Sequence, residues 1–451
     1  MDELMRLAAD RAIRYLRELE SRHVAPRPEA LERLTAFDRS LPESAGDPRE
    51  TIELLDDIGS PATVTSAGPR FFGFVVGGSL PVTVASNWLA AAWDQNAGGA
   101  LLSPVAAKLE QVAERWLVDL LKLPPQASAA FVSGATMANL SALAAARHAV
   151  LRRAGWDVES DGLFGAPPIS VVLGEEAHPS VRKALGLLGL GRTRVVVVPV
   201  DGQGRMQARG LSAVRPPAIV CLQAGNVNTG AFDPFAELVP WAHEARAWVH
   251  IDGAFGLWAA ASPARAHLLE GAAEADSWAT DAHKWLNTPY DSGLAFVREP
   301  EALRAAMAVS AAYLPFDAER EPAEYTPELS RRARGVEVWA ALRTLGRSGV
   351  AELIDRDCRA ASRLADGLAS AGFTILNDVV LNQVLVSFGD DARTRRVIAA
   401  VQEDGTCWCG GTVWQGRTAM RISVSSWATT DDDVDRSLAA MLRAAQAASR
   451  V

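Results

Sequence analysis

From about residue 130 to residue 300, short apolar runs alternate with longer amphipathic stretches. The runs are Ala129–Ser133, Ile169–Leu173, Arg194–Val200, Ala218–Gln223, Ala247–Ile251, Ser277–Thr280 and Gly293–Val297. Several are rich in valine or isoleucine and show no polar alternation, as strands covered on both faces should. Helical patterns lie between them at Met137–Leu151, Pro179–Leu188 and Phe235–Ala245. This rhythm predicts an α/β fold, a mostly parallel central sheet with helices on both faces. Ligands then belong beyond the carboxyl ends of the strands. Residues 3–37 predict an amphipathic helix broken at Pro26 and Pro28, with Leu4, Leu7, Ile13, Leu16 and Leu19 on its stripe. Packing on a partner subunit and packing within the chain are both open to it. Phe71–Pro81 is apolar and glycine-rich, which is poor helix material and suits the lining of a pocket. Beyond residue 335, helices at Val336–Leu345 and Val350–Ala371 precede strands at Gln383–Phe388 and Met420–Ser425 and a last helix at 431–449. The expected division is an N-terminal helical segment (1–69), a large α/β domain (70–340) and a smaller C-terminal α+β domain (341–451).

Composition narrows the reading. At 451 residues the chain exceeds one ordinary core. A net charge of −9 argues against a nucleic-acid partner, which usually meets a basic face. Cys221, Cys358, Cys407 and Cys409 are too few for a disulfide framework. Cys407-Trp408-Cys409 has no second Cys/His pair and reads as two reduced thiols, so no metal is expected. Met1–Arg6 is charged and lacks the apolar centre of a signal peptide, and no apolar run is long enough to span a bilayer. A reducing cytoplasm is the expected setting, with no membrane partner.

Four places carry candidate chemistry, and each has a plainer reading. Lys284, in Asp281-Ala282-His283-Lys284-Trp285-Leu286-Asn287, is one of only four lysines among 45 basic residues. Arginine carries charge but does not bond an aldehyde, so a lysine retained here suggests pyridoxal phosphate. The plainer reading is a surface lysine. Asp252 ends the apolar run Ala247–Ile251, where a carboxylate needs a partner; a pyridinium nitrogen would be one, a helix cap or salt bridge another. Ser133-Gly134-Ala135-Thr136 joins a strand to a helix and could cradle phosphate, or be an ordinary tight turn. His178 precedes Pro179 and a helix; it could lie over a bound ring and handle a proton, or simply cap the helix.

The ordered set Ser133–Leu140, His178-Pro179-Ser180, His250–Ala254 and Asp281–Trp285 resembles the group II pyridoxal-phosphate-dependent amino-acid decarboxylases, which include the aromatic amino-acid, glutamate and histidine decarboxylases. The likeness covers roughly residues 65–450. It implies fold type I, the fold of pyridoxal-phosphate-dependent transferases, and an intertwined homodimer with sites at the subunit interface. It implies that Lys284 bonds the cofactor's aldehyde, Asp252 pairs with the ring nitrogen and His178 stacks on the ring. Gly134, Ala135 and Thr136 would contact phosphate. Asn226 and Asn228 would stand near phosphate and ring, Ala254 would sit under the ring, and His283 beside Lys284 belongs with the cofactor residues. Arg421 is a candidate for the substrate carboxylate or for structure.

There is one departure. The family's mobile loop carries a tyrosine that protonates the substrate carbon after carbon dioxide leaves. The matching segment here, between Tyr313-Leu314 and Arg331-Arg332, is shorter than in the animal enzymes, and its Tyr325 is out of register. The acid is then Tyr325, His178 or another group. The expected activity is decarboxylation of an L-amino acid to its amine. Phe72, Phe74 and Trp88 hint at an apolar or aromatic side chain. Aldehyde synthase, aldolase-type carbon–carbon lyase and aminotransferase are the alternatives that keep the cofactor; a non-catalytic cofactor-binding protein is a further one.

Overall fold

The apolar runs become strands because each is buried on both sides. In a computed structural model, which describes residues 1–208, 214–309 and 320–448, seven of them form one sheet. Its strands are β1 (Ser128–Val132), β2 (Ser170–Gly174), β3 (Val196–Val198), β4 (Ala218–Gln223), β5 (Trp248–Asp252), β6 (Ser277–Asp281) and β7 (Gly293–Val297). They lie in the order β1-β7-β6-β5-β4-β2-β3. Strands β3, β2, β4, β5 and β6 run parallel, while β7 is antiparallel to both β6 and β1. The expected strand Arg194–Val200 shortens to the three residues of β3. It lies at the sheet's edge, where Val196 and Val197 have a neighbouring strand on one side only and stay exposed.

The chain divides into two units. The larger comprises Gly77–Ala361 and Asn377–Val384 and holds this sheet. The helix Ala135–Arg153 follows β1 and packs across β5, β6 and β7. It is alanine-rich and buried on most of its circumference, so its small side chains let it lie close to the strands. The helix Pro179–Leu187 packs against it. Trp248, Trp258, Trp278 and Trp285 are fully buried in this unit, and each indole N–H has an acceptor, as burial of a polar atom requires. The expected pair of helices at Val336–Leu345 and Val350–Ala371 is found within Gly335–Ser370, the two being divided at Gly346, whose φ is 59°.

The other unit joins Met1–Val76 to Ser362–Leu376 and Leu385–Val451. It differs from the expected division, in which 1–69 stood apart. Arg70 explains why: it forms a buried ion pair with Asp433 (2.6 Å), and its main chain and that of Phe72 bond Trp408. The sheet β8 (Thr374–Ile375), β9 (Gln383–Ser387), β10 (Gly410–Trp414) and β11 (Arg417–Ser423) has the order β10-β11-β9-β8. Strand β10 escapes the sequence pattern because it is glycine-rich and mostly unburied; the turn Gln415-Gly416, with φ of 47° and 79°, pairs it with β11. The N-terminal helix ends at Glu18, well short of residue 37, and a second short helix starts at Pro28. All four cysteines are buried thiols. Among the described residues, no helix is long and apolar enough to cross a membrane, and no group of His, Cys, Asp and Glu is arranged to hold a metal.

Candidate active site

The site forms where β5 and β6 end side by side, Asp252 opposite Ala279. β6 runs into Asp281, whose N–H donates to Ala254 O (2.9 Å). The turn after it is tied down: Asn287 Nδ2 donates to Trp285 O (2.9 Å), and the N–H groups of Ala282 and His283 donate to Ser292 O. Gly77 lies against this turn so closely that a Cβ on it would stand 1.7 Å from Lys284 O.

Lys284 Nζ is 2.9 Å from Asp281 Oδ2. Asp281 Oδ1 accepts the N–H of Ala135 (2.5 Å), the first residue of the helix Ala135–Arg153. One buried carboxylate therefore joins the lysine to a helix N-terminus, where negative charge is favoured. His283 Nδ1 accepts the Ser292 N–H (3.2 Å), which leaves the ring proton on Nε2, 3.6 Å from Asp281 Oδ1. Its ring lies against Tyr290, with centroids 4.2 Å apart. Burial holds the His283 imidazole below its usual range.

Asp252 is 4% exposed, and neither carboxylate oxygen has a hydrogen-bond partner among the described residues. Burial pushes its carboxyl up; the nearby His178 and Lys284 oppose this, as does the Asn139 amide. His178 and Asp252 line one recess together with Cys221 and Gln223. His178 caps the helix Pro179–Leu187: its Nδ1 accepts the Ser180 N–H at 3.3 Å.

The strand–helix turn at Gly134 is cramped. A Cβ on Gly134 would meet His283 Cε1 at 3.3 Å, and one on Gly293 would stand 2.4 Å from Gly134 Cα. The helix leaves its first N–H groups without intrahelical acceptors. Asp281 takes that of Ala135, and those of Thr136 and Met137 point the same way along the axis.

A family model described as the pyridoxal-dependent decarboxylase conserved domain matches residues 28–389. The chain belongs to the pyridoxal-dependent decarboxylase family. An aromatic-L-amino-acid decarboxylase of Bacillus atrophaeus is 28% identical over 384 residues, 82% of this chain and 78% of the relative. An L-2,4-diaminobutyrate decarboxylase of Rhizobium meliloti (strain 1021) is 31% identical over 379 residues, 79% of this chain and 72% of the relative. A phenylacetaldehyde synthase of Arabidopsis thaliana is 25% identical over 428 residues, 87% and 86% of the two chains. A solved structure of Oryza sativa TDC with PLP and tryptamine superposes with a TM-score of 0.91 over 99% of this chain and 97% of that one, at 23% identity, and speaks for the fold.

This decarboxylase thus has the type I fold, uses pyridoxal phosphate and acts on an amino acid. The residues present fit that cofactor. The unpartnered Asp252 carboxylate can receive a protonated ring nitrogen, Lys284 offers an amine beyond the end of the neighbouring strand, and the cramped glycine turn leaves main-chain N–H groups for an anion.

The other expected residues fall as follows. Asn226 Oδ1 accepts the N–H groups of Asn228 (2.8 Å) and Thr229 (3.2 Å), so its side chain holds its own turn after β4. Ala254 presents its carbonyl to Asp281. Tyr325 packs against the main apolar cluster with Arg320 over its ring at 4.2 Å, so it is not among the strand-end residues gathered around Lys284. Residues 310–319 of the expected mobile loop, Tyr313 and Leu314 included, lie outside the described residues. Trp88 is 41% exposed on the helix Pro81–Trp93 in the larger unit. Phe72, Phe74 and Arg421 belong to the other unit, where Phe72 is buried, Phe74 stacks on Trp408 at 5.4 Å and burial lowers the Arg421 guanidinium. The sequence reading missed Asp281 as the partner of Lys284, although an acid three residues before a lysine was a visible signal.

Proposed function

We propose that the chain decarboxylates an L-amino acid with an apolar or aromatic side chain, releasing the amine. The observation that carries the site assignment is the Asp252 carboxylate, buried and unpartnered beside the strand that delivers Lys284. Bound there, pyridoxal phosphate supplies the electron sink for the bond to the leaving carboxyl group. Lys284, whose Nζ lies 2.9 Å from Asp281 Oδ2, would be the amine that holds the cofactor's aldehyde. Asp252 would pair with the protonated ring nitrogen: burial disfavours its lone carboxylate, and a cation placed there would offset that cost. Gly134, Ala135 and Thr136 would hold the phosphate at the helix N-terminus, with Asn226 and Asn228 near it and Ala254 next to the ring. His178, which lines one recess with Asp252, would stack on the ring and move the proton at the substrate carbon. The apolar strands exclude water. Phe72, Phe74 and Trp88 are the sequence's candidates for choosing the side chain, and Arg421 is the candidate that the family resemblance offers for the carboxylate. The similarity to the Bacillus aromatic enzyme supports an aromatic substrate.

A homodimer in the cytoplasm completes the reading. The helix Pro81–Trp93 buries only Thr83 and leaves Trp88, Leu89 and Trp93 exposed; the helix Asp2–Glu18 buries nothing. Apolar surface of this kind calls for a cover, and a second copy is the occupant the family resemblance implies.

Carbon dioxide release from a panel of carboxyl-labelled L-amino acids, with pyridoxal phosphate added, tests the reaction. Release confined to aromatic or apolar members, with amine as product, supports it. Release from diaminobutyrate or acidic members instead would overturn the side-chain assignment. A second reading, aldehyde production, is favoured by the similarity to phenylacetaldehyde synthase, and aldehyde in the same tube would establish it.

A further inference from the structure

A chain of hydrogen bonds runs to His178, and its direction is fixed at Asn139, whose Oδ1 can only accept and whose Nδ2 can only donate. The Trp248 indole N–H can only donate, and it donates to Ser277 Oγ (2.8 Å). Ser277 is the register partner of His250, and its hydroxyl gives its own proton to His250 Nδ1 (2.9 Å). His250 is fully buried, and burial depresses its imidazole to about 3, so it is neutral with one ring proton. That proton sits on Nε2 and goes to Asn139 Oδ1 (2.9 Å). With its carbonyl taken, Asn139 turns its Nδ2 to Ser180 Oγ (3.3 Å). Ser180 then gives its hydroxyl proton to His178 Nδ1 (2.7 Å), where its own N–H also points (3.3 Å).

We propose that Ser180, Asn139 and His250 are positioning residues that set the tautomer of His178, with Nδ1 kept as an acceptor and the ring proton kept on Nε2. His178 is thereby delivered as a donor at one defined atom. The alternation of His250 and Asp252 along β5 places both on one side of the strand, so the same strand carries the carboxylate of the site and the polar group that governs its histidine. The functional consequence rests on His178 moving a proton; the tautomer itself does not.

The test uses the full chain with ring-nitrogen-labelled histidine, examined by NMR before and after addition of pyridoxal phosphate. Loss of one signal in His178→Gln identifies the residue. In the unaltered protein His178 should carry its proton on Nε2. Asn139→Asp keeps the side chain's shape but reverses the bond to Ser180: the carboxylate accepts from both His250 Nε2 and Ser180 Oγ. Ser180 no longer donates to His178, whose proton should move to Nδ1. Ser180→Ala should give a mixture of tautomers, and Ser180→Thr should restore the original one. For Ser180→Ala, kcat should fall by about tenfold or more with KM within about twofold; Asn139→Asp also sets a carboxylate near Asp252, so that variant is read by its tautomer alone. Retention of the Nε2 proton in both variants would overturn the proposal. A mixture of tautomers in Ser180→Ala with kcat unchanged would uphold the positioning role and overturn the assignment of proton transfer to His178.

Discussion

Asp357 offers a direct test of the buried electrostatics beside Lys284. Its carboxyl is 1% exposed; Oδ2 accepts the indole N–H of Trp285 at 2.8 Å, and Oδ1 has no partner among the described residues. Burial raises it from 3.8 to about 7, against the smaller opposing effects of Trp285 and Arg356. Between those values the folded protein keeps a proton that the unfolded chain has lost. The unfolded state binds fewer protons, so stability falls as pH rises, by at most ~1.4 kcal/mol per pH unit for one proton. Over the whole interval this amounts to roughly 4 kcal/mol, and the loss is complete above the folded-state value. Asp357→Asn keeps the carbonyl for Trp285 and cannot ionise, so its stability should lack this slope. Asp233, raised to about 6, adds a slope of the same sign, and His250, depressed to about 3, one of opposite sign. Both belong equally to the two proteins and cancel in their difference. Urea midpoints read by tryptophan fluorescence across the acidic to neutral range give the comparison. The two curves should diverge, the unaltered protein losing stability relative to the variant as pH rises. Parallel curves would refute the reasoning, because Asp357 would then hold the same charge in both states.

Other outcomes follow from the same geometry. Lys284→Ala should abolish activity and remove the borohydride-reducible, covalently held cofactor absorbance; a surviving covalent chromophore would assign the amine elsewhere. Gly293→Ala would place a Cβ 2.4 Å from Gly134 Cα, where backbone cannot yield easily, so a cofactor titration should show weaker binding along with a loss of ~1–3 kcal/mol in stability; unchanged affinity would contradict the role of that turn. Arg331→Ala strands Glu110, its fully buried partner at 2.8 Å, and should cost about 3–5 kcal/mol in unfolding measurements. Adding Glu110→Leu should recover most of that loss; if it does not, the cost lies instead in the Arg331 bonds to the Ala97 and Phe131 carbonyls.

The sheet was legible in the chain because valine- and isoleucine-rich runs without polar alternation have one low-energy fate, strands covered on both sides. Their order along the sequence placed Asp252 and Lys284 at strand ends. Scarce lysine and an acid closing an apolar run were chemical signals that needed no coordinates. The short edge strand and β10 were harder to read, since one is limited by having a single neighbour and the other is held by a turn rather than by burial. The sequence also could not say which partner each polar group would take. That Asp281 holds Lys284 and Ala135, that Asn226 serves its own turn, that Asp252 is left without a partner, and that Trp248, Ser277, His250, Asn139 and Ser180 form one directed chain to His178 all depend on side chains from separate elements meeting at hydrogen-bond distance. Apolar pattern determines which residues are buried, because burial depends on local periodicity. Pairing among buried polar groups depends on distances of a few tenths of an ångström between elements far apart in sequence, and only the packed tertiary structure sets those.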